Sequence, residues 1–191
     1  GKTGVDFNQY KNMVGAFHHP RLVYMNLHTL DTLTEELFAC GMGEVLKSGL
    51  IRDAGFYEWI INHMSEIQER IYPVLVKMIQ TCCDIKRRVV EEDPDEKGLR
   101  AILNLGHTVG HAIEKLKDFE LLHGQCVSLG TVAAAYISFN RGFLSAEEFY
   151  EIRDMNVEFD LPIFVDGLES ESILKATKSD KKMEHGKIKF V

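Results

Sequence analysis

The sequence predicts a mainly helical fold with a few short strands, and three observations carry that prediction. From about residue 32 onward apolar residues recur at helical spacing, with turn signals between the periodic runs. Only 4 prolines interrupt 191 residues. Hydrophobic residues make up 45% and charged residues 27%, a globular balance in a chain long enough to bury a core.

Taken in order, residues 1–20 read as a loop, because Gly1, Gly4, Gly15 and Pro20 lie among scattered polar side chains. Leu22-Val23-Tyr24-Met25 reads as a short strand. Thr32-x-x-Glu35 has the capping-box pattern and opens a helix to about Ile51. A second helix runs from about Asp53 to Gln68. A third, with Pro73 in its first turn, runs to about Val90. The acidic turn Glu91-Glu92-Asp93-Pro94-Asp95 ends it. Helices follow over about 101–117 and 123–140, the latter stopped by Gly142. Ser145-x-x-Glu148 caps another, and a short one covers about Ser172–Lys178. Lys187-Ile188-Lys189-Phe190-Val191 alternates like a strand. The chain opens inside a loop and stops inside that strand, as expected of a piece of a longer protein.

Charge narrows the partners. The 22 Lys+Arg against 29 Asp+Glu leave a net −7, which disfavours nucleic acid but leaves room for a small anion met by a local cationic cluster. No run approaches the roughly 18 apolar residues of a membrane span, and no leader pattern opens the chain. Cys40, Cys82, Cys83 and Cys126 have no CxxC spacing and read as reduced core thiols, so a cytoplasmic protein is expected.

Several polar residues interrupt the apolar periodicity. Glu44 and Lys47 are the only charges between Phe38 and Ile51, and both fall among apolar positions of the helical wheel. They form either a buried i,i+3 ion pair or a metal-binding or catalytic carboxylate with a helper cation. The cost of burying a carboxylate favours the second. Lys86 lies near the centre of the Leu75, Ile79, Cys82, Val89, Val90 stripe, and either snorkels past the helix or meets an anion in a cleft. If the 101–117 helix extends back far enough, Arg100, Asn104, His107 and His111 make one polar stripe beside a core face of Leu105, Val109, Ala112, Ile113 and Leu116. His107 and His111 at i,i+4 can share a metal, and His123 and Glu44 can complete a His/Glu site. His18, His19, His28, His63 and His185 read as structural or solvent-facing. Gly1-Lys2-Thr3 lacks the helix of a P-loop, and Gly41-x-Gly43 lacks the third glycine of a dinucleotide fingerprint.

Taken together, the chain resembles the 3-dehydroquinate synthase family, specifically its C-terminal metal- and substrate-binding domain, over residues 1–191. The resemblance rests on Gly1-Lys2-Thr3-Gly4-Val5-Asp6, Lys11-Asn12-Met13-Val14-Gly15-Ala16-Phe17, Gly43-Glu44-Val45-Leu46-Lys47 and Glu96-Lys97-Gly98-Leu99-Arg100. It continues through Asn104-Leu105-Gly106-His107-Thr108-Val109-Gly110-His111-Ala112-Ile113-Glu114, Leu122-His123-Gly124 and Asp180-Lys181-Lys182. It implies a divalent metal, zinc or cobalt, held by Glu44, His107 and His123, which transfers His111 from the metal to the substrate. It also implies catalytic or substrate-facing roles for Lys47, Lys86, Arg100, Asn104, His111 and a lysine of Lys181 and Lys182, with Lys2 and Asn12 near the substrate phosphate. Lys2, Lys11 and Thr29-Leu30-Asp31-Thr32 would border NAD.

The implied reaction converts 3-deoxy-arabino-heptulosonate 7-phosphate to 3-dehydroquinate and phosphate, a step of aromatic amino acid biosynthesis. Transient oxidation by NAD acidifies a C–H, phosphate leaves, the ketone is reduced, and an aldol step closes the ring. A homodimer is implied for the full-length protein, and this piece alone is expected to be inactive, because the family's N-terminal nucleotide-binding domain is missing from it. Gln125, His18-His19-Pro20 and Asn26 depart from the family's usual residues. A sister sugar-phosphate cyclase and a non-catalytic helical metal module are the competing readings.

Overall fold

A computed structural model describes residues 2–7, 10–96, 98–177, 183–184 and 187–188, without the side chains at 2, 6, 10–12, 17, 183–184 and 187–188. Among these, eight α-helices run in the order α1 (Glu35–Arg52), α2 (Ala54–Asn62), α3 (Met64–Gln68), α4 (Tyr72–Glu92), α5 (His107–Leu116), α6 (His123–Asn140), α7 (Ala146–Glu158) and α8 (Ser170–Thr177). Two 3-10 turns, Leu27–Thr32 and Leu99–Asn104, precede α1 and α5. The helical class is borne out.

The element ends follow from local chemistry. Thr34, not Thr32, caps α1: its Oγ1 accepts from the Leu37 N–H, while Thr32 Oγ1 donates to Thr29 O. Asp53 ends α1 and caps α2, accepting from the Phe56 N–H at 2.9 Å. The helix expected over 53–68 is therefore two, broken at His63, whose ring stacks on Trp59 and whose Nδ1 lies 2.9 Å from Trp59 O. Pro73 sits in the first turn of α4. Ser145 and Glu148 form a reciprocal capping box on α7.

Other expectations are corrected. Residues 1–20 are not all loop: β1 (Lys2–Phe7) and β2 (Tyr10–Phe17) form an antiparallel hairpin with Val5 opposite Val14 and Gly4 opposite Gly15. A Cβ on Gly15 would lie 1.9 Å from Thr3 O, so the glycines that suggested a loop are what this tight pairing needs. Leu22–Met25 forms no strand and is exposed. Lys187–Ile188 does pair, with Met183–Glu184, as β4 with β3. All four cysteines are free, but Cys83 is exposed and is not a core thiol.

The main core lies between α1, α2, α3, α4 and α7, around Phe38, Met42, Leu46, Ile60, Ile67, Leu75, Met78, Met155 and Phe159. A fully buried Ile such as Ile60 or Ile67 contributes about 1.5–3 kcal/mol. A smaller cluster of Ile113, Cys126 and Leu129 joins α5 to α6, with Ile173 of α8 against it. Helix α6 is buried on nearly all sides through Gly124, Cys126–Val132 and Ala135, and forms the axis on which α1 and α5 rest. No helix of the described residues is long and apolar enough to cross a membrane.

Candidate metal and substrate site

Each of three convergent side chains, those of Glu44, His107 and His123, follows or precedes a glycine that brings two elements into contact. A Cβ on Gly124 would sit 1.8 Å from Cys40 O, and one on Gly43 would sit 2.7 Å from Gly124 O. Bare backbone there lets α1 cross α6 closely, and the Gly124 N–H donates to Cys40 Sγ at 3.1 Å. Glu44 thus arrives beside His123. On the other side of α6, a Cβ on Gly130 would lie 1.8 Å from Gly106 O. Gly106 itself has φ 77°, a left-handed turn that ends the 3-10 segment and starts α5 at His107.

Glu44 Oε1 lies 3.5 Å from His107 Nε2 and 3.5 Å from His123 Nε2. Its other oxygen, Oε2, accepts from Lys47 Nζ at 2.5 Å. Lys47 is 5% exposed and also donates to Leu103 O at 3.0 Å, which ties α1 to the 3-10 turn before α5. Glu44 therefore takes part in an i,i+3 pair with the buried Lys47 while its half-exposed carboxylate also faces two imidazoles.

Electrostatics set the charge state of these groups. Burial pushes the Glu44 carboxyl up, but His123, Lys47 and His107 together outweigh it and hold the group at about 2. Burial first, then the Lys47 charge, lowers His107 to about 4, against the opposing pull of Leu105 O and Glu44. At neutral pH the site offers a carboxylate and a neutral imidazole, the protonation states a metal needs. Two ligand atoms about 2.1 Å from a tetrahedral cation stand about 3.4 Å apart, close to the observed 3.5 Å separations. The donors fit a divalent metal.

His111 stands with its ring centroid 5.1 Å from that of His107 and 5.8 Å from that of His123. Among the described residues a second ligand group, His111, Glu114 and His123, has its donor atoms within 4.8 Å of one another, as does the first. Glu114 is the residue that sequence reasoning passed over. It was visible as a charge directly after Ala112-Ile113 of the expected core face, and it is 4% exposed.

The expected polar stripe is not one helix. The 3-10 turn and left-handed Gly106 separate Arg100 and Asn104 from His107 and His111. Arg100 is buried and donates from Nη1 to Pro94 O, while Asn104 Nδ2 donates to Glu96 Oε1. Lys86 is exposed on α4. Thr29, Leu30, Asp31 and Thr32 lie in the first 3-10 turn, and Asp31 Oδ2 is 3.2 Å from His28 Nδ1. The side chains of Lys2, Lys11 and Asn12, and all of Lys181, Lys182 and His185, lie outside the described residues.

The fold is shared with solved enzymes. A 2-epi-5-epi-valiolone synthase from Streptomyces hygroscopicus, solved with NAD+ and Zn2+, superposes with a TM-score of 0.84 over 92% of this chain and 49% of that one, at 24% identity. A 2-deoxy-scyllo-inosose synthase in complex with carbaglucose-6-phosphate, NAD+ and Co2+ gives 0.74 over 95% and 50%, at 23% identity. The chain shares the fold of the matching half of these two enzymes. Residues 41–183 match the family model "3-dehydroquinate synthase C-terminal", and residues 1–40 match "3-dehydroquinate synthase N-terminal". The chain belongs to the 3-dehydroquinate synthase family. It is 40% identical to the 3-dehydroquinate synthase of Syntrophotalea carbinolica over 100% of its own length and 53% of the relative's. The corresponding figures for the one from Thermodesulfovibrio yellowstonii are 42%, 100% and 54%. The chain thus spans about half the length of the curated relatives it matches.

Proposed function

We propose that these residues form the metal- and substrate-binding half of a 3-dehydroquinate synthase acting on 3-deoxy-arabino-heptulosonate 7-phosphate. The observation that carries the reading is the convergence of Glu44, His107 and His123 from three helices. The identity of about 40% to enzymes of that name supports the particular reaction over those of the two solved cyclases, at 23% and 24%. We carry NAD and a divalent metal, zinc or cobalt, over from the solved neighbours. Bound there, the metal would polarise substrate oxygens and NAD would accept and return a hydride.

The chain's own side chains do the rest. Glu44, His107 and His123 supply one anionic and two neutral ligands. Lys47 keeps the Glu44 carboxylate ionised and fixed in direction. His111, beside His107, exchanges a proton with a substrate hydroxyl. Lys86, Arg100 and a lysine of Lys181 and Lys182 neutralise the substrate carboxylate, local cations in a chain of net −7, and Asn104 donates a neutral hydrogen bond to the substrate. Arg100 and Asn104 exchange Pro94 O and Glu96 for the substrate. Lys2 and Asn12 reach the phosphate, and Lys11 with Thr29, Leu30, Asp31 and Thr32 borders NAD. The leaving phosphate serves as its own base.

The test joins these 191 residues to the remaining length of the Syntrophotalea relative and follows phosphate release with NAD and Zn2+ or Co2+. Turnover of the heptulosonate phosphate, lost in Glu44→Gln and His107→Ala, is the expected result. Turnover of another sugar phosphate alone, such as glucose 6-phosphate, would assign the chain to a sister cyclase.

A further inference from the structure

We propose that Glu114 positions His123 for the metal by holding the proton on its Nδ1; the inference rests on the metal reading of Glu44, His107 and His123. The two histidines are arranged alike. His107 Nδ1 is 3.1 Å from Leu105 O, an atom that can only accept. The proton of the neutral ring therefore stays on Nδ1 and leaves Nε2 bare toward Glu44. His123 repeats this with a side chain in place of the carbonyl: its Nε2 faces the same Glu44 oxygen, and its Nδ1 lies 3.7 Å from Glu114 Oε1.

The side chain of Glu114 is 6% exposed, against 44% for that of His123. A carboxylate this buried is kept only with donors facing it, and once ionised it can only accept. The 3.7 Å contact closes to a hydrogen bond with a small rotation of the more exposed ring. A neutral imidazole carries one N–H, so an acceptor at Nδ1 selects the tautomer whose Nε2 can bind a cation. Without Glu114, the proton moves to Nε2, where Glu44 Oε1 at 3.5 Å accepts it, and the ring no longer offers that nitrogen to a cation. The His111, Glu114, His123 group could instead hold a cation of its own, but only with the His123 Nδ1 proton removed.

The test uses the 191-residue chain with 15N-labelled histidine, in the wild type, Glu114→Gln and Glu114→Asp. NMR at pH 8 without metal reads the His123 tautomer, and competition with a chromophoric chelator reads zinc affinity and stoichiometry. Glu44 competes for the proton at Nε2, so the wild type should carry a larger Nδ1–H population than Glu114→Gln. In Glu114→Gln, whose amide can donate to the ring, the population should move toward the Nε2–H form and zinc Kd should weaken by about 10–100-fold. Glu114→Asp, which keeps a carboxylate, should recover part of both. An unchanged tautomer and Kd in Glu114→Gln would overturn the inference. So would two zinc ions per wild-type chain with one lost in Glu114→Gln, since Glu114 would then be a ligand. If the wild type binds no zinc, the metal reading fails, and the metal-free tautomer still decides what Glu114 does.

Discussion

Folding lowers the proton affinity of both His107 and Glu44, so their effects on stability have the same sign. His107 falls from 6.5 to about 4, chiefly through burial and then through the Lys47 charge. Between those values the unfolded chain binds a proton that the folded chain refuses. Its contribution is complete above about pH 6.5 and is lost as the pH falls toward 4. Glu44, moved from 4.5 to about 2, extends the loss to lower pH. Urea unfolding of the chelator-treated chain should show a decline on the order of 1–3 kcal/mol between pH 7 and pH 4, and His107→Asn should flatten it. Equal slopes in the two proteins would mean that His107 titrates as in a free chain. Lys86 tests the substrate side. In the joined protein assayed for turnover, Lys86→Met should raise KM about tenfold, or about 1.4 kcal/mol, with zinc content unchanged. Unchanged kinetics would leave Lys86 as a solvated lysine of α4. The odd residues of the periodic pattern, Glu44, Lys47 and His107, were legible because a charge or imidazole amid apolar spacing demands a partner. Glu114 escaped because no spacing in the sequence links it to His123; only packing of α5 on α6 does.

At the scale of elements, the glycines of α1 and α6 separate two roles. Gly124→Ala would force a Cβ against Cys40 O, a backbone atom 1.8 Å away, so α1 and α6 must part. Stability should drop by about 1–3 kcal/mol and zinc affinity should fall with it, because Glu44 and His123 move apart. Gly41, also in α1, is exposed and has no atom within 4 Å of an added Cβ. Gly41→Ala should stabilise by about 0.5–1 kcal/mol and leave zinc affinity unchanged. Denaturation and chelator competition on both variants check the pair, and equal effects would remove the role given to the crossing. Helix order and several caps were readable, since Asp53, Pro73, Ser145 and Glu148 act on their own backbone neighbours. The hairpin and the left-handed Gly106 were not, because one depends on a strand brought alongside and the other on a φ that composition does not announce. The break at His63 rests on its local stacking against Trp59, which apolar periodicity does not show. A glycine pair reads the same in a loop as in a close strand pairing.

For the whole molecule, a metal that joins α1, α5 and α6 should behave as a stabilising ligand of the folded state. At zinc a thousandfold above Kd, stability should rise by about 4 kcal/mol, and a chelator should reverse it. Glu44→Gln should abolish the shift while the chain remains helical by circular dichroism. A zinc-independent melting temperature in the wild type would contradict a site spanning three helices. The sequence alone determined the helical class, the limits of most helices and the identity of the residues that cannot be buried without a partner, because periodicity and capping act over a few residues. It also carried the family, since the motif around Asn104 to Glu114 is a contiguous string. Tertiary structure decided which oxygen of Glu44 faces the histidines and which faces Lys47, and that Glu114 stands at the far edge of His123. Those distances depend on how closely backbones cross at Gly43, Gly106, Gly124 and Gly130, and that approach is set by contacts between residues far apart in the chain.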